Sequence, residues 1–373
     1  MRRLTVVQLL PALHAGGVER STIEIAGALA RRGHRAIVVS AGGRLVQPLL
    51  DAGGEHLTLD IGRKSLLTLR HMPTLRRLFA EVGADIVHAR SRLPAWLGHK
   101  AVQGMPVDRR PAWVTTVHGL NSPGRYSAIM ASGQRVICVS DTVRDYVRRH
   151  YPNVPEQRLA VIPRGVDLAD FGRRPRPDRG ARRALVQQHP QLAGEGPLLL
   201  LPGRGTRLKG HAQAIALLAA LHADGVPARL WMPGLVEDGR AAYVDELMGQ
   251  AGRLGVAEAV LATPATDRIA AAYAAADLVL QLSTKPEAFG RTVVEALAVG
   301  CPVLGWAHGG VGELLAQLQP SGAVVPGDMP ALLAAARTLL ASPPRPPARI
   351  PYTLQAMQQA TLELYEQLAD ASR

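Results

Sequence analysis

Short apolar runs bounded by Gly or Pro alternate along the chain with longer amphipathic stretches, which is how the β-α units of a parallel sheet covered on both faces read in sequence. In the first half, residues 5–10, 35–40, 86–88, 113–117, 136–139 and 159–162 read as strands, and residues 18–32 as an amphipathic helix that stops at Gly33. Residues 171–196 are dense in Arg, Pro and Gly, break this rhythm, and read as a linker holding one short helix. Alternation then resumes, with strands at 198–201, 228–232, 260–262, 277–281 and 303–306 and helices at 211–223 and 241–254. After a Pro-rich stretch at 342–351, residues 353–368 read as a terminal helix. The pattern predicts two doubly wound, Rossmann-like α/β domains, residues 1–170 and 197–350, joined by the linker 171–196. A helical segment, 351–373, is expected to pack back on the first domain. Open α/β sheets bind ligands beyond the carboxyl ends of their strands, so a site in an interdomain cleft is the expectation.

Composition narrows the class. The 373 residues exceed what one hydrophobic core supports, and 47% hydrophobic residues suit a globular protein. No apolar run is long enough for a spanning helix, and the stretch after Met1-Arg2-Arg3 reads as a first buried strand, not as a signal peptide. Only Cys138 and Cys301 occur, far apart, which supports neither a disulfide framework nor a metal-ligand cluster; a reducing compartment, the cytoplasm, is expected. The net charge of +13 is uneven. Residues 1–170 hold 24 Lys or Arg against 13 Asp or Glu, while residues 197–373 hold 13 against 15. An anionic partner for the first half is therefore expected, either an anionic membrane surface or a phosphorylated acceptor, with a merely solvated basic surface as the alternative. Nucleic acid is not expected, because aromatics are only 4% and no zinc-finger or RNA-recognition pattern occurs.

The most informative segment lies after the strand at 277–281: Ser283-Thr-Lys-Pro-Glu287-Ala-Phe-Gly290-Arg291-Thr292-Val-Val-Glu295, closing at Gly300. It describes a loop entering a helix at Gly290. The amides of Gly290, Arg291 and Thr292 would then sit at a helix N-terminus, where open donors and the dipole suit a phosphate. Glu287 in the loop and Glu295 one turn into the helix can accept hydrogen bonds from sugar or ribose hydroxyls; two acids favouring a helix N-terminus is the bland alternative. The loop after the first strand of the same domain, Pro202-Gly203-Arg204-Gly205-Thr-Arg207-Leu-Lys209-Gly210, offers Arg204 and Lys209 as mobile positive charge. Arg forks onto phosphate oxygens and Lys acts as a point charge, so a diphosphate could be neutralised without a metal.

In the order and spacing of these motifs, over nearly its whole length, the chain resembles the family-four retaining glycosyltransferases. Their signature is two glutamates separated by seven residues around Glu-x-Phe-Gly, here Glu287 and Glu295. Gly16-Gly17-Val18-Glu19-Arg20, Arg164-Gly165-Val166-Asp167 and Gly309-Gly310-Val311-Gly312-Glu313 fall where the family has similar pieces. The resemblance implies the GT-B fold and transfer of a sugar from a nucleotide-diphosphate donor to a glycan or glycolipid acceptor, with retention of configuration. Of acceptors, lipopolysaccharide core or a related cell-envelope glycan fits the charge.

Residue by residue, the resemblance implies that Glu295 binds the ribose, Glu287 lies by the donor sugar, and Arg204 and Lys209 hold the diphosphate. Gly16 and Gly17 would let a helix N-terminus approach the donor phosphates, and His118 would sit near the reacting sugar. His14 is a weaker candidate of the same kind. Two positions depart from the family: Gly205 stands where Leu is frequent, and Arg164 where Asn is common. No metal or other cofactor is expected. Trp96 and a helix at 66–78, with Arg63, Lys64, Arg70, Arg76 and Arg77, are candidates for an acceptor or peripheral membrane face on the inner side of the cytoplasmic membrane, or else form an ordinary basic helix packed by its leucines. Two rival functions stay open, a non-catalytic sugar-nucleotide-binding scaffold and a sugar-nucleotide epimerase of the same fold.

Overall fold

The computed structural model of the protein describes residues 2–14 and 16–371. The chain divides into two compact units, the first made of residues up to Gly165 together with those from Leu354, the second running from Val166 to Thr353.

Unit 1 opens with β1 (Thr5–Leu9), α1 (Gly17–Arg31), β2 (Arg35–Ser40), α2 (Val46–Asp51) and β3 (Glu55–Thr58). It continues with α3 (His71–Glu81), β4 (Ile86–Ala89), α4 (Arg92–Gln103), β5 (Ala112–Val117), β6 (Arg135–Cys138), α5 (Asp141–His150) and β7 (Leu159–Val161). All seven strands pair in parallel in the order β3-β2-β1-β4-β5-β6-β7. Strands such as β4 and β5 are buried along their whole length, as a sheet covered on both faces requires.

Unit 2 begins with α6 (Arg179–Gln188), β8 (Leu198–Leu200), α7 (His211–Ala223), β9 (Arg229–Pro233), α8 (Ala241–Arg253) and β10 (Val260–Thr263). Then come α9 (Ile269–Ala275), β11 (Leu278–Gln281), α10 (Arg291–Val299), β12 (Val303–Trp306), α11 (Gly309–Leu318), β13 (Ala323–Val324) and α12 (Met329–Ala341). Its six parallel strands run in the order β10-β9-β8-β11-β12-β13. Strand order reverses direction between β1 and β4 in unit 1 and between β8 and β11 in unit 2, and a crevice opens at such switch points.

The first unit's main segment ends at Gly165 and the second unit begins at Val166, so the expected linker is not a separate segment. The last helix, α13 (Leu354–Ala371), belongs to unit 1: Met357, Leu362, Leu364 and Tyr365 join Val6, Ile25, Leu29 and Val38 in one buried cluster. The segment 171–196 is not a free linker but a strap folded onto unit 2. The Arg176 guanidinium donates to the carbonyls of Tyr273 at 3.2 Å, Ala274 at 3.0 Å and Ala276, the orphan acceptors at the end of α9. Arg182 adds an ion pair to Asp277 at 3.3 Å. Arg-rich composition here reflects carbonyl capping, which sequence does not distinguish from solvated charge.

Two strands went unread. β3 is an edge strand with no alternating apolar face, and β13 is two residues long. The helix expected at 66–78 splits into a 3-10 turn, Leu66–Arg70, and α3, with the Ser65 hydroxyl accepting from the Leu67 amide at 3.2 Å to start the turn.

Candidate functional site

In unit 2, the loops leaving the two strands at the switch point meet. After β8, the 3-10 turn Arg207–Lys209 aims Lys209 across at the loop that follows β11, and Thr284 N donates to the Leu208 carbonyl at 2.8 Å, tying the loops together. Lys209 Nζ donates to Glu287 Oε1 at 2.6 Å, and the Ser283 hydroxyl donates to the same oxygen. The start of α11 supports this glutamate from below. Gly310 N donates to the Glu287 carbonyl at 2.7 Å, and a Cβ on Gly310 would fall 2.4 Å from the Phe289 carbonyl oxygen, so no larger residue fits there. His308 Nε2 lies 2.8 Å from the Ser283 carbonyl oxygen.

Gly290 caps α10 at φ 109°, a left-handed conformation that L side chains rarely adopt, and so turns the loop into the helix. Amides of the first turn of α10 lie outside the helical ladder, where the dipole favours an anion. Arg291 and Glu295 pair one turn apart, Arg291 Nε donating to Glu295 Oε1 at 3.0 Å. Glu295 is buried, and its other oxygen accepts from the Tyr273 hydroxyl at 3.0 Å. Burial first, and then the Glu295 carboxylate, hold the Tyr273 phenol well above its ordinary value, so it remains a donor. Thr292 follows in the same first turn, half-buried.

Arg204 is exposed, and among the described residues its guanidinium has no ion-pair partner. Gly205 is buried instead. A Cβ there would lie 2.3 Å from the Leu235 carbonyl oxygen, so the departure from Leu matches a loop pressed against the exit of β9. A groove of about 1240 Å³, lined by Arg176, Asp277, Pro302 and Arg337 among others, opens at the amino ends of β8, β11 and β12, the opposite edge of this sheet from Lys209 and Glu287. Size alone does not mark the site; the convergence of charged side chains at the carboxyl ends does.

In unit 1 the carboxyl ends gather basic groups. α1 starts at Gly17 with Gly16 as its cap at φ 137°; a Cβ on Gly17 would meet nothing within 4 Å, which leaves its surface open to a ligand. Arg90, directly after β4, is 4% exposed; its Nε donates to Gln8 Oε1 at 2.7 Å and Nη1 to the Ser21 hydroxyl at 3.2 Å. The His88 ring lies between the Tyr365 hydroxyl, 2.6 Å from Nδ1, and the Thr116 hydroxyl, 2.7 Å from Nε2. His118 follows β5, and Arg164 donates to its Nδ1. With that nitrogen accepting, the ring proton sits on Nε2, which is buried without a protein partner. Burial, then Arg164, Arg90 and His88, hold His118 well below the usual histidine range, and His88 is lowered by burial, Arg90 and Arg164. Both rings are neutral.

Sequence reasoning placed Glu287, Lys209, Gly290 and Glu295 on neighbouring elements, and the structure joins Lys209 to Glu287 and Arg291 to Glu295. It did not find Ser283, Tyr273, His308, Arg90 or Tyr365. Ser283 opens the segment quoted and His308 stands beside another, so both could have been flagged by position; Tyr365, on a helix remote in sequence, carried no signal. Trp96 donates its indole N–H to the Tyr126 carbonyl at 3.0 Å, and His14 is exposed.

Comparisons with known proteins agree with this geometry. Residues 15–170 match the family described as Glycosyltransferase Family 4, and residues 183–354 match Glycosyl transferases group 1. A D-inositol 3-phosphate glycosyltransferase of Xylanimonas cellulosilytica is 28% identical over 327 residues, 80% of this chain and 76% of the relative. Matches to further D-inositol 3-phosphate glycosyltransferases span about half the length of those relatives. A glycosyltransferase from Rickettsia africae superposes with a TM-score of 0.82 at 25% identity over 99% of both chains. Anabaena Alr3699/HepE, solved with UDP and glucose, superposes with a TM-score of 0.80 at 21% identity over 98% of this chain and 100% of that one, a likeness of fold. With both domain families matched in order over two parallel α/β sheets, the chain belongs to the family-four glycosyltransferases of GT-B type.

Proposed function

We propose that unit 2 holds a nucleotide-diphosphate sugar and that the protein transfers its glycosyl group, with retention, to a hydroxyl of an anionic glycan or glycolipid. The carrying observation is the Lys209–Glu287 pair at the switch point of unit 2, flanked by Arg204 and the N-terminus of α10. A diphosphate entering there competes with Glu287 for Lys209. Once Lys209 turns to the phosphate, the Glu287 carboxylate, still held by Ser283, is released to accept from a sugar hydroxyl. As the bond between the anomeric carbon and the diphosphate oxygen breaks, charge grows on the leaving group; Arg204, Lys209 and the α10 amides supply fixed positive potential for it. The acceptor oxygen bonds to the anomeric carbon on the face just vacated, and its proton passes to the departing diphosphate. This charge set makes transfer independent of a metal ion in our reading.

Glu295, buried against Tyr273 and Arg291, would meet the ribose through the edge of its carboxylate, with Tyr273 and Arg291 keeping it oriented. In unit 1, neutral His118 presents Nε2–H as a hydrogen-bond donor to a sugar hydroxyl. The excess of basic residues there favours an acceptor that carries phosphate, such as a lipopolysaccharide core or related cell-envelope glycan. The name of the Xylanimonas relative supports a second candidate of the same chemistry, an inositol phosphate.

The test is incubation with a panel of nucleotide sugars and both acceptor types, with and without EDTA, reading released nucleoside diphosphate and glycosylated product. Acceptor-dependent release that survives EDTA is expected. Donor binding without product on any acceptor would favour a scaffold, and a change in the donor sugar alone would favour an epimerase.

A further inference from the structure

We propose that residues 61–80 of unit 1 form a docking face for an anionic lipid surface. In the 3-10 turn Leu66–Arg70, Leu67 is 68% exposed and Leu69 is 48% exposed, while Thr68 between them is buried. The turn is held in this pose from inside: the Thr68 hydroxyl donates to the Arg63 carbonyl at 2.7 Å, and the Ser65 hydroxyl receives the Leu67 amide. Behind it, Leu75 and Phe79 anchor α3 in the core. The two leucines therefore project by construction and are not a frayed end.

The same segment carries Arg63, Lys64, Arg70, Arg76 and Arg77, all exposed, and no Asp or Glu occurs from 61 to 80. Among the described residues none of these five forms an ion pair, whereas half-buried Arg35 and Arg144 and exposed Arg207 each have a carboxylate. An unneutralised positive segment with two outward leucines matches a surface whose outer layer is negative and whose next layer is apolar. Anionic lipid has that order. A nucleic acid would satisfy the charges and leave the leucines in water. Among the described residues no helix is long and apolar enough to cross a membrane, and the proposed contact is peripheral.

The experiment is co-sedimentation of the full chain with vesicles of phosphatidylcholine, with and without phosphatidylglycerol, across a salt series. Binding to the anionic vesicles alone is expected, weakening with salt. Arg63→Gln, Lys64→Gln and Arg70→Gln together should lower the partition coefficient about a hundredfold, at about fivefold per charge. Leu67→Ser with Leu69→Ser should lower it about tenfold with the charges intact. Equal binding to neutral vesicles, no binding to either, or a leucine variant that sediments like the parent overturns the proposal; the last outcome, joined with retention of a DNA duplex, would assign the face to nucleic acid. Thermal melts check that the variants fold. As a second measurement, Leu67→Cys can be labelled with an environment-sensitive dye, because Cys138 and Cys301 are both buried. A blue shift on anionic vesicles is expected, and an unshifted spectrum contradicts insertion. Neither readout involves sugar transfer, so failure here leaves the catalytic reading standing, and the reverse holds.

Discussion

At the carboxyl ends of its strands, unit 2 sets cations against carboxylates, Lys209 on Glu287 and Arg291 on Glu295, whereas unit 1 gathers Arg90 and Arg164 around two histidines, His88 and His118. The topologies match, yet the electrostatics differ. Pairing in unit 2 holds the cations in place, and it costs little because each carboxylate is hydrogen-bonded by a neighbour. In unit 1 Arg164 hydrogen-bonds His118 directly, and Arg90 acts on both rings through space. Their field and the loss of water leave the imidazoles neutral, so the rings serve as hydrogen-bonding groups at ordinary pH.

The strongest way to break this comparison is Lys209→Ala. Removing the cation proposed to meet the leaving group should lower kcat/KM about a thousandfold, and a steady-state assay showing only a few-fold loss would remove unit 2's pair from the chemistry. Next in size, Gly205→Leu restores the residue frequent in the family and forces a side chain against Leu235; a drop of about 3 kcal/mol in stability is expected from denaturant unfolding, read on Trp231.

Acid should separate the units. His56, His88, His99 and His118 in unit 1 all lie below the usual histidine value, mainly through burial; in unit 2 His211 is pushed down to about 4. Because the unfolded chain binds these protons more readily than the folded one, stability is full above about pH 6.5 and falls as pH drops towards the folded values. His211 alone removes about 2 kcal/mol by about pH 5, and unit 1, with four such rings, should unfold at higher pH, as followed on Trp113 against Trp231. Simultaneous loss of both signals would refute the difference.

The smallest effect sharpens the picture of unit 1. Arg164→Asn takes a positive neighbour from His118, so the ring protonates more easily and the acid limb of the rate profile should move to higher pH, with about a tenfold loss on that limb for a shift of one unit. A parallel profile of lower amplitude would mean Arg164 only packs.

Much of unit 2's site was legible because its residues are local in sequence: the loop-helix joint from Ser283 to Gly300 must carry Gly at both ends, and periodicity located the strand before it. Lys209 was legible as a cation in a Gly-rich loop, though not as the partner of Glu287, which lies 78 residues away. In unit 1, Gly16, Gly17 and His118 were readable from strand-end positions. Arg90 and Tyr365 were not, since nothing in an Arg after a strand or a Tyr in a terminal helix announces that they meet.

The sequence by itself determined the two α/β repeats, the acidic pair Glu287 and Glu295 and the charge imbalance between halves, because periodicity, glycine placement and composition are local quantities. Tertiary structure alone decided that residues 171–196 strap unit 2 and that His118 is neutral with its proton on Nε2. Those outcomes depend on burial and on through-space contacts between residues far apart in the chain, and such contacts leave no local periodicity to read.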